Sequence, residues 1–403
     1  MLAVEEAHAR ITAAFAPLPS EWVHLAAAAG RVLAVDLIAD RDQPPGDTSA
    51  MDGYAVRAAD LAAGRATLHL VGSAPAGRSF DRPLTAGETV RIFTGGLLPD
   101  GADAVALQEN ATADGDRVEI EGTLEPGTHV RPAGLDFRQG ERALASGTRL
   151  GARDLGLAAA LNHAWLPVRR RPRVALLATG DELVLPGQPL GVAQIVNSNS
   201  VALAAMVALW GGEPVDLGIA RDDPESLAEV AGQLGGVDLI VTLGGASVGE
   251  RDLVRGVLGA HGLDLDFWRI AMRPGKPLMF GRVREVPLLG LPGNPVSAGV
   301  CAVLFVRSAI CALLGLDPTP PEVPAVLGAS VGANDRRQDY LRARAEWGDD
   351  GRLLVTPAPR QDSSMLATFA RADCLIKRAP LAPAAAPGTV VSVLLLASGP
   401  IAI

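Results

Sequence analysis

The sequence of 403 residues has few cysteines and does not begin with a recognisable export signal. Its three cysteines, Cys301, Cys311 and Cys374, are odd in number and have no CxxC spacing, which argues against a disulfide framework and a thiolate zinc site. Near the amino terminus, Glu5 and Glu6 stand where a secretory signal would have a basic head and an apolar run. We therefore expect this segment to be a helix of the mature protein, and the protein to be cytoplasmic.

Basic residues are not in excess, since 36 Lys and Arg stand against 45 Asp and Glu, for a formal charge of −9. The chain as a whole therefore does not attract nucleic acid or anionic lipid, and any bound anion must be held by local cations. One apolar run, Val296 to Gly315, is as long as a membrane span. Because Arg307 lies within it and Asn294-Pro295 precedes it like a helix start, we predict a buried core helix and no membrane partner.

Several catalytic motifs are also missing. None of the six histidines lies near the glycine-rich loops described below or at HxxxH spacing, which argues against a zincin, a histidine triad and a histidine metal site. The sequence has neither GxxxxGK(S/T) nor a GxGxxG that opens a βαβ unit. P-loop kinases and dinucleotide-dependent dehydrogenases are therefore disfavoured.

The hydrophobic pattern changes along the chain. From about Asp47 to Gly140, short alternating segments separated by Gly, Pro and Asp turns predict a β-rich domain. From Pro172 onwards, nearly continuous apolar strands alternate with helical segments, which predicts an α/β domain with a mostly parallel sheet. After a Pro-rich boundary near residue 319, alternation returns and predicts a small all-β domain.

Glycine-rich and polar residues collect after the strands of the predicted sheet, at the edge where open α/β sheets bind ligands. The four loops contribute Glu182; Asp222; Gly244, Gly245, Ser247, Gly249 and Asp252; and Pro292, Gly293, Asn294, Pro295 and Ser297. Glycines allow close backbone approach, and a helix start leaves free N–H groups, so these loops predict a site for a phosphorylated ligand. Plain turns are the alternative for each loop taken singly.

Carboxylates beside such loops predict a bridging cation. Glu182, Asp222 and Asp252 cannot contact a phosphate directly, and Mg²⁺ uses few carboxylates together with phosphate oxygens and water. For Asp222, a helix-capping role is an equal alternative. The segment AMRPGKPLMFG adds Arg273 and Lys276 on a Pro-Gly turn, where they would serve an oxyanion.

Taken together, the motifs resemble those of the molybdopterin molybdenumtransferases, the family of MoeA and the gephyrin E domain. The matching segments follow the family's order over the full chain: SAMDGYAV, RIFTGGLLPDGADAVALQEN, TGDEL, NSNS, GGASVGERD, PGKP, LPGNPVSA and SSMLATFARADCLI. The resemblance implies a multidomain α/β plus β fold of four parts: a molybdopterin-binding-type α/β domain (1–20 plus 172–318), a connecting domain (21–45 plus 141–171), an inserted β-rich domain (46–140) and a C-terminal small β-barrel (319–403).

The resemblance also implies an activity. Such an enzyme inserts molybdate into adenylylated molybdopterin with Mg²⁺-dependent release of AMP, giving molybdenum cofactor. It is implied to be a homodimer whose active cleft is shared between subunits, with transient contacts to other proteins of molybdenum cofactor synthesis. The alternatives are a non-catalytic, gephyrin-like scaffold and a different phosphoanhydride-cleaving enzyme on the same fold. A scaffold would be free to lose Asp52, Glu182, Asp252 and Lys276, all of which are present.

The family motifs assign roles to individual residues. The catalytic set comprises Asp52, Thr94, Glu182, Asp222, Asp252 and Lys276, with Glu182, Asp222 and Asp252 as metal ligands. The substrate-binding set comprises Gly244, Gly245, Ser247, Gly249, Arg273, Pro292, Gly293, Asn294, Pro295, Ser297, Arg342, and Ser364 or its neighbour Ser363. The chain departs from the family at Gly96, where many members have Ala, and at Arg273, where members often have Lys. The second change replaces the compact ammonium of lysine by the planar guanidinium of arginine, which would alter anion selectivity.

Overall fold

The computed structural model describes residues 1–221, 235–244 and 262–396. Contacts divide the chain into two compact units. The first consists of Met1–Ala34, Gly147–Arg153 and the chain from Trp165 onwards, and the second of Val35–Ser146 and Asp154–Ala164. The second unit is therefore inserted into the first, and the division into four parts stays a prediction.

A six-stranded sheet forms the centre of the first unit. Its strands lie in the order Glu213–Ala220, Arg173–Thr179, Leu239–Leu243, Val286–Leu291, Met279–Val283 and Leu263–Phe267. The first four are parallel; Met279–Val283 runs antiparallel to both of its neighbours, so Leu263–Phe267 again runs in the direction of the first four. The central strands are buried along almost their whole length, which explains their continuous apolar sequences. The four parallel strands bring the carboxyl ends of their sequences to one edge, as predicted.

Within the described residues, three helices pack against this sheet: Val4–Ala13, Ser198–Leu209 and the run Pro295–Leu314, here called the long helix. The long helix has a π-helical turn at Ala302–Val306 and ends at Gly315, which adopts φ +72°. It is long and apolar enough to span a membrane, but 83% of its most apolar window is buried inside the protein. The prediction of a core helix is confirmed, and Asn294 and Pro295 open it as expected.

A closed five-stranded β-barrel follows the long helix. Its strands are Gln338–Trp347, Leu353–Pro357, Val323–Leu327, Val390–Leu395 and Cys374–Arg378, and the barrel closes because the last pairs with the first. The short strand Met272–Arg273, which comes from the α/β part of the sequence, adds to it in parallel with Gln338–Trp347. A short helix, Leu366–Ala370, packs beside the long helix.

Smaller elements complete the first unit. The ribbon Ser20–His24 with Trp165–Arg169 is antiparallel, and Leu183–Val184 pairs in parallel with Ile195–Val196.

The second unit is a β structure with its own apolar core. Its six-stranded sheet has the order Ala104–Leu107, Gly53–Val56, Glu88–Ile92, Arg65–Ala74, Arg117–Glu121 and Ala111–Asp114. Two separate two-stranded sheets lie in the same unit: Thr48–Ser49 with Val130–Arg131, and Leu37–Ile38 with Arg142–Leu144. The helix Ala152–Ala160 follows in sequence. The predicted fold class, a molybdopterin-binding-type α/β sheet with an inserted β-rich part and a terminal barrel, is confirmed.

The three cysteines are free and buried. Burial raises the pKa of each thiol, that of Cys374 to about 12. Because the thiolate is the reactive form, we expect the native protein to release no colour from an aromatic disulfide reagent within minutes, and all three thiols to react in denaturant. Rapid reaction of even one thiol in the native protein would contradict the packing around these side chains.

Candidate functional site

Three of the predicted loops meet at the carboxyl edge of the α/β sheet. Gly244 adopts φ +91°, and a Cβ atom there would lie 2.8 Å from the carbonyl oxygen of Thr179, so only glycine allows this approach. A Cβ atom on Gly293 would lie 3.8 Å from the Cα of Gly244. The carboxylate of Glu182 folds over Gly180, since a Cβ atom at Gly180 would lie 2.6 Å from its Oε2. The structure therefore brings the loop of Thr179, Gly180 and Glu182 next to Gly244 and Gly293.

The remaining members of two loops lie outside the described residues. These are Asp222, Gly245, Ser247, Gly249 and Asp252. Among the residues that the structure describes, no three His, Cys, Asp or Glu side chains form a group that could hold a metal ion. Glu182 is exposed, and the hydroxyl of Thr179 is buried without a hydrogen-bond partner in the described ranges. Both are oxygen donors of the kind that Mg²⁺ accepts, so the described part of the loop set fits a hard cation.

The start of the long helix is held more tightly than the sequence predicts. Asn294 is the N-cap residue, but its side chain does not cap the helix. Its Nδ2 instead donates to the Oγ of Ser363 at 3.0 Å, while the N–H of Val296 donates to the carbonyl of Ser363 at 3.1 Å. Pro295 has no N–H, so the first available helix donor is already occupied. On the other side, Asn199 Nδ2 donates to the carbonyl of Gly293 at 2.7 Å. One of the N–H groups that the sequence predicts to be free, that of Val296, is therefore occupied by Ser363.

The two cations of the Pro-Gly turn differ in their partners. Arg273 forms a two-bond fork with Asp339, with Nε 2.5 Å from Oδ1, and its other bonds go to Asp335 Oδ2 at 3.3 Å and Asn334 Oδ1 at 3.2 Å. The fork with Asp339 raises the pKa of Arg273. Lys276 is exposed, and its ammonium has no partner among residues 1–221, 235–244 and 262–396. The structure thus leaves Lys276 available for an anion and gives Arg273 carboxylate partners.

A close packing contact fixes the turn between these cations. Gly275 adopts φ +111°, and a Cβ atom there would lie 2.3 Å from the Cε of Met272 and 2.6 Å from the Sγ of Cys301. Cys301 belongs to the long helix. The turn that carries Lys276 is therefore seated on that helix.

The barrel contributes a buried cation. Arg342 is 1% exposed; its Nη2 donates to the carbonyl of Asp362 at 3.1 Å, and its Nε has no partner within the described part of the chain. Burial lowers its pKa. Ser364 bonds to the carboxylate of Asp362 through its N–H at 2.8 Å and its Oγ at 2.6 Å. Ser297 on the long helix is also buried, at 5% exposure.

In the second unit, Asp52 and Thr94 lie side by side. Oδ1 of Asp52 accepts from the N–H of Thr94 at 2.7 Å and from its hydroxyl at 2.8 Å. These bonds, with the nearby charge of Arg91, lower the pKa of Asp52. Gly53 is required next to it, because a Cβ atom there would lie 1.9 Å from the carbonyl oxygen of Ala106.

Arg91, which the sequence motifs did not single out, organises the same surface. Its guanidinium lies over the rings of Tyr54 and Phe93, 4.9 Å and 5.2 Å from their centres, and donates to Gln108 Oε1 at 2.6 Å. Arg91 opens the RIFTGG segment, so the motif contained it, but the strand alternation gave no reason to select it.

The mostly parallel sheet with glycine loops at one edge, the closed barrel and the inserted β unit define a multidomain protein of the molybdopterin-binding α/β class. Three family descriptions match the chain: the MoeA N-terminal region (domain I and II) over residues 2–162, a probable molybdopterin binding domain over 175–312, and the MoeA C-terminal region (domain IV) over 324–396. The chain belongs to the molybdopterin molybdenumtransferase, or MoeA, family.

Individual relatives agree with this assignment. The chain is 35% identical to the molybdopterin molybdenumtransferase of Haemophilus influenzae, over 89% of this chain and 90% of that protein. It is 40% identical to the Nostoc protein of the same name, over 74% and 70% of the two chains. A crystal structure of a molybdopterin biosynthesis MoeA protein from Pyrococcus horikosii superposes with a TM-score of 0.87 at 31% identity, covering 99% of this chain and 100% of that one.

Proposed function

We propose that this chain inserts molybdate into adenylylated molybdopterin, releasing AMP and giving molybdenum cofactor in a Mg²⁺-dependent reaction. The observation that carries the proposal is the meeting of the loop that carries Glu182 with Gly244 and Gly293 at the carboxyl edge of the sheet. Binding a phosphoanhydride requires backbone N–H groups to come close to its phosphate oxygens, and cleaving it requires cations to balance its negative charge. The glycines would provide the first, and the metal site with Lys276 would provide the second.

Roles for the individual residues follow from their chemistry. Glu182, with Asp222 and Asp252, would hold Mg²⁺, which when bound neutralises charge on the phosphoanhydride. A water molecule would attack the adenylyl phosphorus, and the bond from that phosphorus to the bridging oxygen would break. AMP would leave with the water oxygen, a proton would pass to solvent, and the terminal phosphate would stay on the pterin. Lys276 would face molybdate, a tetrahedral dianion. Its ammonium, unpaired within the described part of the chain, supports this role more directly than the carboxylate-bound Arg273 does. Buried Arg342 and Ser297, together with exposed Ser364, would supply further substrate-binding groups.

We also infer a homodimer in which Asp52 and Thr94 of one subunit face the sheet edge of its partner. Their exposure and the depressed pKa of Asp52 support a role for an ionised carboxylate outside the second unit's own core. The four-domain division, a cytoplasmic location and transient contacts with other enzymes of the same synthesis belong to this proposal.

The deciding experiment is an assay with purified protein, adenylylated molybdopterin, Mg²⁺ and molybdate that follows AMP release and reconstitution of an apo-molybdoenzyme. Molybdate-dependent AMP release that is lost in both Asp52→Ala and Asp252→Ala would support the proposal. Equal AMP release without molybdate would favour a different phosphoanhydride-cleaving enzyme. Binding of the nucleotide without any release would favour a scaffold.

A further inference from the structure

We propose that Gln361 is a positioning residue for the long-helix start, acting through residues 361–364, here called the strap. The strap runs from the terminal barrel to Asn294 and Val296. The kinetic part of this inference rests on the proposed function, because it takes the helix start to face the substrate. Its structural part, that Gln361 holds the helix start, does not.

The barrel end of the strap is held by the side-chain amide of Gln361, which bonds to the backbone of Arg342 as a neighbouring strand would. Oε1 of Gln361 accepts from the N–H of Arg342 at 3.0 Å, and its Nε2 donates to the carbonyl of Arg342 at 2.9 Å. The same Nε2 donates to the carbonyl of Ala358 at 2.9 Å. The amide thus satisfies the N–H of Arg342 and adds a second hydrogen bond to its carbonyl, which also accepts from the N–H of Ala358 at 2.8 Å.

The middle of the strap is tied to the buried side chain of the same arginine. The guanidinium of Arg342 donates to the carbonyl of Asp362, and the carboxylate of Asp362 accepts two bonds from Ser364. Those two bonds lower the pKa of Asp362. The turn is therefore set by contacts with the backbone and the side chain of Arg342 together.

The far end of the strap reaches the helix. Ser363 accepts from the N–H of Val296 through its carbonyl and from the Nδ2 of Asn294 through its Oγ. Because Pro295 has no N–H and the side chain of Asn294 does not cap the helix, Ser363 takes the place of the missing cap. Loosening the strap at Gln361 would release this cap. The side chain of Gln361 bonds only to Arg342 and Ala358 among the described residues, so it would act on the helix start through the strap.

The test uses Gln361→Met, which keeps the length of the side chain and removes its three hydrogen bonds. In the full chain, we expect amide hydrogen exchange at Val296 to become at least about tenfold faster. We also expect the KM for adenylylated molybdopterin to rise about tenfold, since small misplacements of binding groups are costly, and the KM for molybdate to stay within about twofold. The matched control is Val393→Ala, which creates a cavity in the barrel core away from the strap.

Two results would overturn the inference: unchanged exchange at Val296 in Gln361→Met, or equally faster exchange in Val393→Ala, which would show general loosening of the barrel. Faster exchange at Val296 in Gln361→Met alone, with both KM values unchanged, would overturn the kinetic role. If the wild-type protein releases no AMP, the proposed function fails, and the exchange comparison still decides whether Gln361 holds the helix start.

Discussion

Lys276→Ala is expected to lower kcat/KM for molybdate-dependent AMP release by about 10²–10³, the typical cost of removing one group that stabilises a developing oxyanion. The ammonium is exposed and has no partner in the described part of the chain, while the turn beneath it is packed on the long helix at Cys301. Arg273 is not expected to compensate, because Asp339 and Asp335 occupy its guanidinium. Steady-state kinetics over a range of molybdate concentrations measures the effect.

The sequence supplies a matched control, since Lys377 is its only other lysine. Lys377 is paired with Glu322 at 2.8 Å on the barrel, and we expect Lys377→Ala to keep the wild-type kcat/KM within about twofold, as for other partly exposed ion pairs. Activity of Lys276→Ala within the same twofold would remove Lys276 from the reaction. Lys276→Arg keeps the charge and should recover part of the loss.

Asp52→Asn is expected to reduce kcat by about 10²–10⁴ without lowering the thermal midpoint, the range for removal of a positioned acid–base group. The asparagine side chain keeps an oxygen that can accept both bonds from Thr94, so the local structure should persist while the negative charge is lost. Thr94→Ser retains both donors and serves as the control. A full kcat in Asp52→Asn would show that the charge has no role in the reaction.

The pH dependence has a definite sign. Hydrogen bonds from Thr94 lower the pKa of Asp52 below its usual 3.8, so the carboxylate is ionised throughout the range from pH 5 to 8. Any stability that it contributes is complete above the unfolded-state pKa and is lost as the pH falls through the lower folded-state value. Between pH 5 and 8, we therefore expect the rates of the wild-type protein and of Asp52→Asn to depend on pH in the same way.

Mixing the two inactive proteins tests the proposed sharing of the site. Suppose that Asp52 of one subunit acts together with Lys276 of the other. Each mixed dimer of Asp52→Asn and Lys276→Ala then has one intact site and one site that lacks both residues. Random subunit exchange would then restore about a quarter of the wild-type activity. If both residues act within one chain, the mixed dimer has no intact site and the mixture stays inactive.

The sequence predicted those features that depend on neighbouring residues. Continuous apolar runs identified the parallel strands, and Asn294-Pro295 with Arg307 identified the long helix as a buried core helix. The partners of the site residues are different, because they come from distant parts of the chain. Nothing near Arg273 indicates Asp339, and nothing near Val296 indicates that Ser363 will occupy its N–H. A local pattern shows which groups are available, and tertiary packing decides which of them stay free.

The short strand Met272–Arg273 has a consequence for how such a chain can evolve. It belongs in sequence to the α/β part, but it pairs with the barrel strand Gln338–Trp347. The guanidinium of Arg273 forms two hydrogen bonds with the carboxylate of Asp339 on that strand. A recombination breakpoint near residue 319 would separate the arginine from the aspartate, and would leave a nearly buried carboxylate without its counter-charge in the acquired barrel. The barrel is therefore not a freely exchangeable module: it must be inherited with the turn that it supports.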